Sequence, residues 1–210
     1  MENMTTKQFI TDVLLATNRP GMADLIEHME EIGFFTAPCS GGNHLAKEGG
    51  LAEHSWNVNA IMDADAATKY TPEEHYALSP SIAIVSLLHD LGKCGDYGKA
   101  NYVENYIKSR KKDADGNYPM VRSEKKPYET NKDLLYVPHE VRSVKIASKF
   151  IQLTEEEEFA ILYHNGLYGD FKYAIKGKET PLYLLLHSAD MWASHVVEVE
   201  EDETNDTDGN

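Results

Sequence analysis

His54, the adjacent pair His89-Asp90, His139, His164 and Asp190 are the residues of this chain whose types could do chemistry together. Neutral imidazoles and carboxylates are the ligand set of a first-row divalent ion, and such an ion activates water at neutral pH. A lone histidine in a helix is usually packed or solvated. The group reads differently, because each member falls where a helix can turn it inward. His89-Asp90 ends the apolar run Ile82 to Leu88, where a polar pair is costly unless bonded or metal-bound. Asp190 lies between Leu182-Tyr183-Leu184-Leu185-Leu186 and Met191-Trp192, where a carboxylate also needs a partner. Two buried acids and several imidazoles in one small chain make a shared metal the economical account.

Lys93 follows Gly92, just past that helix end, so its ammonium can reach an anion held at the site. Phosphoryl transfer needs such charge as the transition state develops. The ordinary alternative is a solvated lysine complementing the helix dipole. His28, His75 and His195 lie in amphipathic or exposed contexts and are set aside. His187 shares a face with Asp190 and is expected to pack or hydrogen-bond behind the ligands. Glu53 and Glu140, beside His54 and His139, have the position of proton shuttles, but flanking charges are usually just solvated, and that reading is preferred.

The elements that must position these residues are mostly helices. Thr5 or Thr6 caps a first helix with Phe9, Ile10, Val13 and Leu14 on one face, and Pro20 starts a second that stops at Gly33. A third runs from about Gly50 to Tyr70. Thr71-Pro72-Glu73-Glu74 is a capping box opening a short helix, and Ser79-Pro80 restarts the pattern for a buried helix from Pro80 to Leu91. From 99 to 132 the periodicity changes to tyrosines among polar residues around Asp113-Ala114-Asp115-Gly116-Asn117, which predicts a β-hairpin insertion. Helix returns near Pro138, at the capping box Thr154 to Glu157, and from about Glu179 to Val197. The expected fold is a mostly α helical bundle, one domain over 1–197, followed by an acidic, disordered tail over 198–210.

Composition narrows the function classes. The net charge of -15 argues against long duplex nucleic acid as a partner. Seven acids and no bases between Glu198 and Asp208 make up the tail. The insertion is opposite in sign, with eight basic residues against four acids from Lys99 to Lys126. A positive flap over a metal site would attract a polyanion. A solvated edge hairpin protected by lysines is the plainer reading, and the one preferred here. Two cysteines make no disulfide framework, and neither a signal peptide nor a membrane span is visible, so a reduced, cytoplasmic protein is expected.

The order His … His-Asp … His … His … Asp, with Leu87-Leu88-His89-Asp90-Leu91-Gly92-Lys93 intact, resembles the HD superfamily of metal-dependent phosphohydrolases over roughly residues 36 to 198. Asn43-His44-Leu45-Ala46 through Gly49-Gly50-Leu51-Ala52-Glu53-His54-Ser55 is similar to the start of HD domains of bacterial 3′-5′ exoribonucleases. Tyr163-His164-Asn165-Gly166 resembles their His-His-Gly element, with Tyr163 replacing the first histidine. Pro138-His139-Glu140 through Ser143-Val144 is similar to a segment of phage and gut-bacterial HD hydrolases. The resemblance implies that His54, His89, Asp90 and Asp190 hold a first metal. It implies that His139 and His164 hold a second one bridged by Asp90, or else bind substrate phosphate. It places His44 near the phosphate pocket.

The expected function is therefore hydrolysis of a phosphate ester of a nucleotide or short oligonucleotide. One or two ions of manganese, iron, cobalt, nickel or zinc would serve, magnesium also being accommodated. Asp90 and Lys93 would be catalytic, and His44 and Lys93 would bind substrate. Two alternatives keep the same residues: a two-iron oxygenase of the same superfamily, and a non-catalytic metal-dependent nucleotide-binding module.

Overall fold

The computed structural model of the chain describes residues 5–169 and 172–199. Helix accounts for 52% of the structure and strand for 8%, so the fold is a helical bundle with a hairpin insertion. The helices are α1 (Thr6–Ala16), α2 (Met22–Glu31), α3 (Gly50–Lys69), α4 (Pro72–Leu88), α5 (His139–Ala147), α6 (Glu155–Tyr163) and α7 (Pro181–Trp192). Capping boxes start α1 at Thr5, α4 at Thr71 and α6 at Thr154, where hydroxyls accept from orphan backbone donors.

Two apolar clusters share α3 and α4. Leu51, Ile84, Leu87 and Leu88 join α1, α2 and α5, whereas Val58, Met62, Ile82 and Val85 join α6 and α7. The C-terminal half of α4 is therefore buried on every side, as its unbroken apolar run requires. Burial there favours presenting His89-Asp90 into the interior.

The expected restart at Pro80 does not occur: one helix runs from Pro72 to Leu88 with Pro80 inside it. Proline removes only the donor that would serve the carbonyl four residues back. That residue, Tyr76, is 82% exposed, so water can satisfy the group. Ser79 Oγ also donates to the His75 carbonyl at 2.9 Å. The last helix differs too. It ends at Trp192 and continues as a π-turn, Ala193–Val197, closed by the Glu198 amide on the Ala193 carbonyl at 3.0 Å.

The insertion begins earlier than expected, with β1 (Gly95–Asp96) and β2 (Lys99–Ala100) forming a tight hairpin. The main hairpin has two tiers. β3 (Tyr102–Glu104) pairs with β6 (Tyr128–Thr130), and β4 (Tyr106–Lys108) pairs with β5 (Met120–Arg122), all antiparallel. Between the tiers, Asn105 alone faces the five residues Ser123 to Pro127, bonding through its amide to Pro127 and its carbonyl to Ser123. This bulge carries Lys125 and Lys126. Residues 200–210, most of the expected acidic tail, lie outside those described. None of the described helices is long and apolar enough to cross a membrane. Cys39 and Cys94 are free and buried.

Candidate metal centre

Six side chains far apart in sequence meet between α3, α4, α5, α6 and α7. His54 comes from the first turns of α3, and His89 and Asp90 follow the last residue of α4. His139 opens α5, His164 caps the end of α6, and Asp190 lies on α7. Gly92 permits the approach of α5. A β-carbon there would stand 2.1 Å from the His139 carbonyl oxygen, while the Gly92 amide donates to Ser143 Oγ at 2.8 Å.

Asp90 is at the centre, and its two oxygens face different neighbours. Oδ2 lies 3.5 Å from His54 Nε2 and 3.4 Å from His89 Nε2. Oδ1 lies 3.1 Å from His139 Nε2 and 3.6 Å from His164 Nε2. Asp190 Oδ1 completes the first side at 3.2 Å from His54 Nε2. Donors around a first-row ion at ~2.1 Å stand ~3.0–3.4 Å apart in octahedral or tetrahedral arrangements. The spacings match.

The ring orientations point the same way. His89 Nδ1 donates to the Ser86 carbonyl at 2.8 Å and His164 Nδ1 to the Ile161 carbonyl at 2.7 Å. A carbonyl only accepts, so these rings carry a proton on Nδ1, and in the neutral form each turns an Nε2 lone pair inward. His54 Nδ1 faces Glu198, with both carboxylate oxygens at 3.0 Å. His139 Nδ1 lies 3.3 Å from Glu140 Oε2. Ring nitrogens then confront each other across 3.3 Å in His54–His89 and 3.4 Å in His139–His164. A proton or a cation must separate each pair. Outer partners that fix the tautomer in this way are the usual support of metal-binding histidines.

A cation also answers a deficiency at Asp90. Its Oδ1 is buried and makes no well-formed hydrogen bond among the described residues. Such an atom is costly to leave unmatched. Burial opposes ionisation of Asp90, yet Lys93, His89, His139 and His164 outweigh it and hold the carboxyl well below the usual range. Burial also pushes His54 down, but Cys39, Asp190 and Glu198 more than offset this and hold it well above the ordinary imidazole value. For His89 burial wins, and its pKa falls. Buried groups combining these residues could hold a metal: His54-His89-Asp190, and His89-Asp90-His164.

Lys93 does not stand free over the site. Its ammonium is 2.5 Å from Asp90 Oδ2 and 3.8 Å from Cys39 Sγ. It still lines the adjoining cavity of about 360 Å³, with Asn43, His44, Asn165, Tyr168 and Asp190. His195, set aside in the sequence, lines the same cavity, and His187 donates to the His164 carbonyl at 2.7 Å. His28 and His75 pair with Glu31 and Asp63 on the surface, away from the centre. Glu53 pairs with Lys47 at the surface, whereas Glu140 is buried, contrary to the expectation that it is solvated.

Two contributors were missed. Glu198, assigned to the tail from the acidic run, is buried and also takes His44 Nδ1 at 2.5 Å and the Asn57 amide at 3.0 Å. These partners outweigh burial and hold its carboxyl down at about 2. Its spacing of eight from Asp190 is a same-face helical interval, a signal masked by the surrounding acids. Cys39 forms a third metal-capable group with His44 and His54. Comparison with family models, with curated proteins and with solved structures finds no match to this chain.

Proposed function

We propose that this chain is a metal-dependent phosphohydrolase of the kind its motifs resemble, the HD superfamily, acting on a phosphate ester of a nucleotide or short oligonucleotide. One observation carries the reading: the Asp90 carboxylate divides four inward-facing imidazole nitrogens into two pairs, one at each oxygen. His54, His89, Asp90 and Asp190 would hold one ion, and His139, His164 and the far oxygen of Asp90 a second. Bound ions of this class supply a polarised phosphoryl oxygen and a water acidic enough to attack at neutral pH. The chain's own residues do the rest. Lys93 lines the cavity, and its ammonium, held by Asp90 Oδ2, would supply positive charge to the non-bridging oxygens of a phosphoryl group bound there. Asn43 and Asn165 line the same cavity and offer neutral donors. Ser86, Ile161 and Glu198 hold the imidazoles in one tautomer, so little reorganisation is needed when substrate arrives.

The test is metal analysis of the purified protein, followed by phosphomonoester and phosphodiester panels with Mn²⁺, Co²⁺, Ni²⁺ and Mg²⁺. Turnover that requires metal and vanishes in His89→Ala supports the proposal. Metal binding without turnover of any ester would sink it in favour of a binding module, and oxygen uptake by an iron-loaded sample would favour the two-iron oxygenase.

A further inference from the structure

We propose that the cleft between the hairpin bulge and the loop 40–44 is a second anion subsite, so that the preferred substrate carries a phosphate beyond the one at the metal centre. This rests on the phosphohydrolase reading above and deepens it.

A cavity of about 430 Å³ lies beside the metal-centre cavity, lined by Gly41, Gly42, Asn43, Tyr102, Lys125, Lys126 and Thr130. Asn43 lines both. Both volumes fall within the ~300–1,000 Å³ of small-molecule sites. Tyr102 lines the second cavity beside Asn43, its ring half-buried at the base of the hairpin. Polar groups thus run from Lys93 through Asn43, which the two cavities share, to Tyr102 and the paired lysines.

The cleft is constructed by close backbone contact. The Tyr128 amide donates to the Gly41 carbonyl at 3.1 Å, tying the hairpin to the loop. A β-carbon on Gly42 would stand 3.0 Å from the Lys125 carbonyl oxygen and from Lys126 Cα. The bulge that breaks the two tiers is therefore pressed onto the loop that leads to His44. Ser40 Oγ ties that loop together, accepting from the Asn43 amide at 2.9 Å and donating to the His44 carbonyl at 2.8 Å.

The charge pattern identifies the occupant as an anion. Neighbouring basic side chains are already neutralised: Lys47 by Glu53 at 2.8 Å, Arg122 by Glu104 at 3.5 Å and Lys132 by Glu129 at 3.6 Å. Neither Lys125 nor Lys126 has a carboxylate partner among the described residues, in a chain of net charge -15. Glu124, between them and Arg122, lines the cavity on the other side with Glu48 and Glu104. Two adjacent ammonium groups without a carboxylate partner among the described residues, beside a cleft of about 430 Å³, fit a second phosphate, either in a phosphoanhydride or in an oligonucleotide backbone.

The experiment is equilibrium dialysis of the Mn²⁺-loaded full chain against non-hydrolysable phosphonate analogues of thymidine 5′-monophosphate, thymidine 5′-diphosphate and the 5′-phosphorylated dinucleotide of thymidine. It is repeated on Lys125→Ala/Lys126→Ala and on a hairpin-tip control of equal charge, Lys111→Ala/Lys112→Ala. The wild type should hold one of the two-phosphate probes about tenfold more tightly than the monophosphate, two exposed ion pairs supplying about that factor. The bulge variant should lose that advantage and the tip variant should keep it. Whichever probe gains tells anhydride from backbone phosphate. No gain with either probe overturns the subsite, as does equal loss in the two variants, which would mean unspecific attraction. The readout is affinity, so absence of hydrolysis would count against the proposed activity and leave this comparison decided on its own result.

Discussion

The carboxylate of Glu198 sits square to the His54 ring, with both oxygens 3.0 Å from Nδ1. The π-turn Ala193–Val197 sets this up by widening the end of α7, so that Asp190 and Glu198 approach His54 from opposite sides of its ring. Asp190 meets Nε2 and Glu198 meets Nδ1. One histidine is thereby both aimed and made more basic.

Glu198→Ala should therefore weaken metal binding by ~10–100-fold while leaving the helices intact, the usual effect of removing a carboxylate behind a metal-binding histidine. Competition with a chromophoric chelator measures the affinity, and far-ultraviolet circular dichroism the fold. Unchanged affinity would mean that Glu198 serves His44 alone.

A buried carboxylate without its metal is costly, so removal of Asp90 taken alone would relieve a burial penalty. The structure reverses the sign, because Lys93 loses its partner at 2.5 Å while its side chain remains only 15% exposed. Asp90→Ala should lose metal and, in chelator, be less stable than the wild type by up to about 3–5 kcal/mol. Asp90→Ala/Lys93→Ala should recover part of that loss. Thermal unfolding of the three proteins in chelator decides. A single variant as stable as the double would show that the ion pair contributes nothing.

Lys93→Ala alone should keep the metal and lose rate, by ~10²-fold if the ammonium meets the transition-state oxygens. Metal stoichiometry and turnover are measured on one sample. Metal loss matching that of Asp90→Ala would assign Lys93 to holding the ligand instead.

The helices and the hairpin were legible because capping boxes at Thr71 and Thr154 and the all-round apolar run of α4 are local signals. Pro80 misled because its cost depends on whether the Tyr76 carbonyl reaches water, a tertiary fact. In the site, His54, His89, Asp90, His139, His164 and Asp190 stood out as polar residues in apolar or motif contexts. Glu198 did not, because an acid among acids carries no contrast, and its role depends on a π-turn that no local pattern announced. Glu140 looked solvated for a different reason: a single glutamate beside a candidate ligand carries no local sign that the packing of α5 will bury it.

Acid stability should be governed in part by Glu157, whose side chain is fully buried and takes a two-pronged grip from Arg19 at 2.7 and 2.9 Å. Ser81 Oγ and the Thr154 amide donate to it as well, each at 2.8 Å. Burial raises its pKa, but Arg19, Thr154 and Ser81 outweigh it and hold the carboxyl below the usual value. A depressed carboxyl stabilises fully above the unfolded-state pKa of ~4.3, and the contribution is lost as pH falls through the folded value. Glu157→Gln should thus be destabilised at pH 7, with the gap to wild type closing as pH falls below the unfolded-state pKa and through the lower folded value. Denaturant midpoints across that range measure it. A constant gap would assign the loss to packing.

Gly92→Ala tests whether the two sides of Asp90 are separable. The added carbon would stand 2.1 Å from the His139 carbonyl oxygen and 2.8 Å from Arg142 Cβ, so the start of α5 must move. His139 moves with it, while His54, His89 and Asp190 belong to α3, the end of α4 and α7 and do not depend on that contact. If the ions divide between the oxygens of Asp90, the variant should lose the one on the His139 side and keep the other. Metal content after dialysis would fall from two per chain to one. Ser143→Ala, which removes the hydrogen bond to the Gly92 amide without adding bulk, should keep both. Loss of both ions from Gly92→Ala would show that α5 supports the whole centre. Retention of both would show that His139 is not needed to hold either.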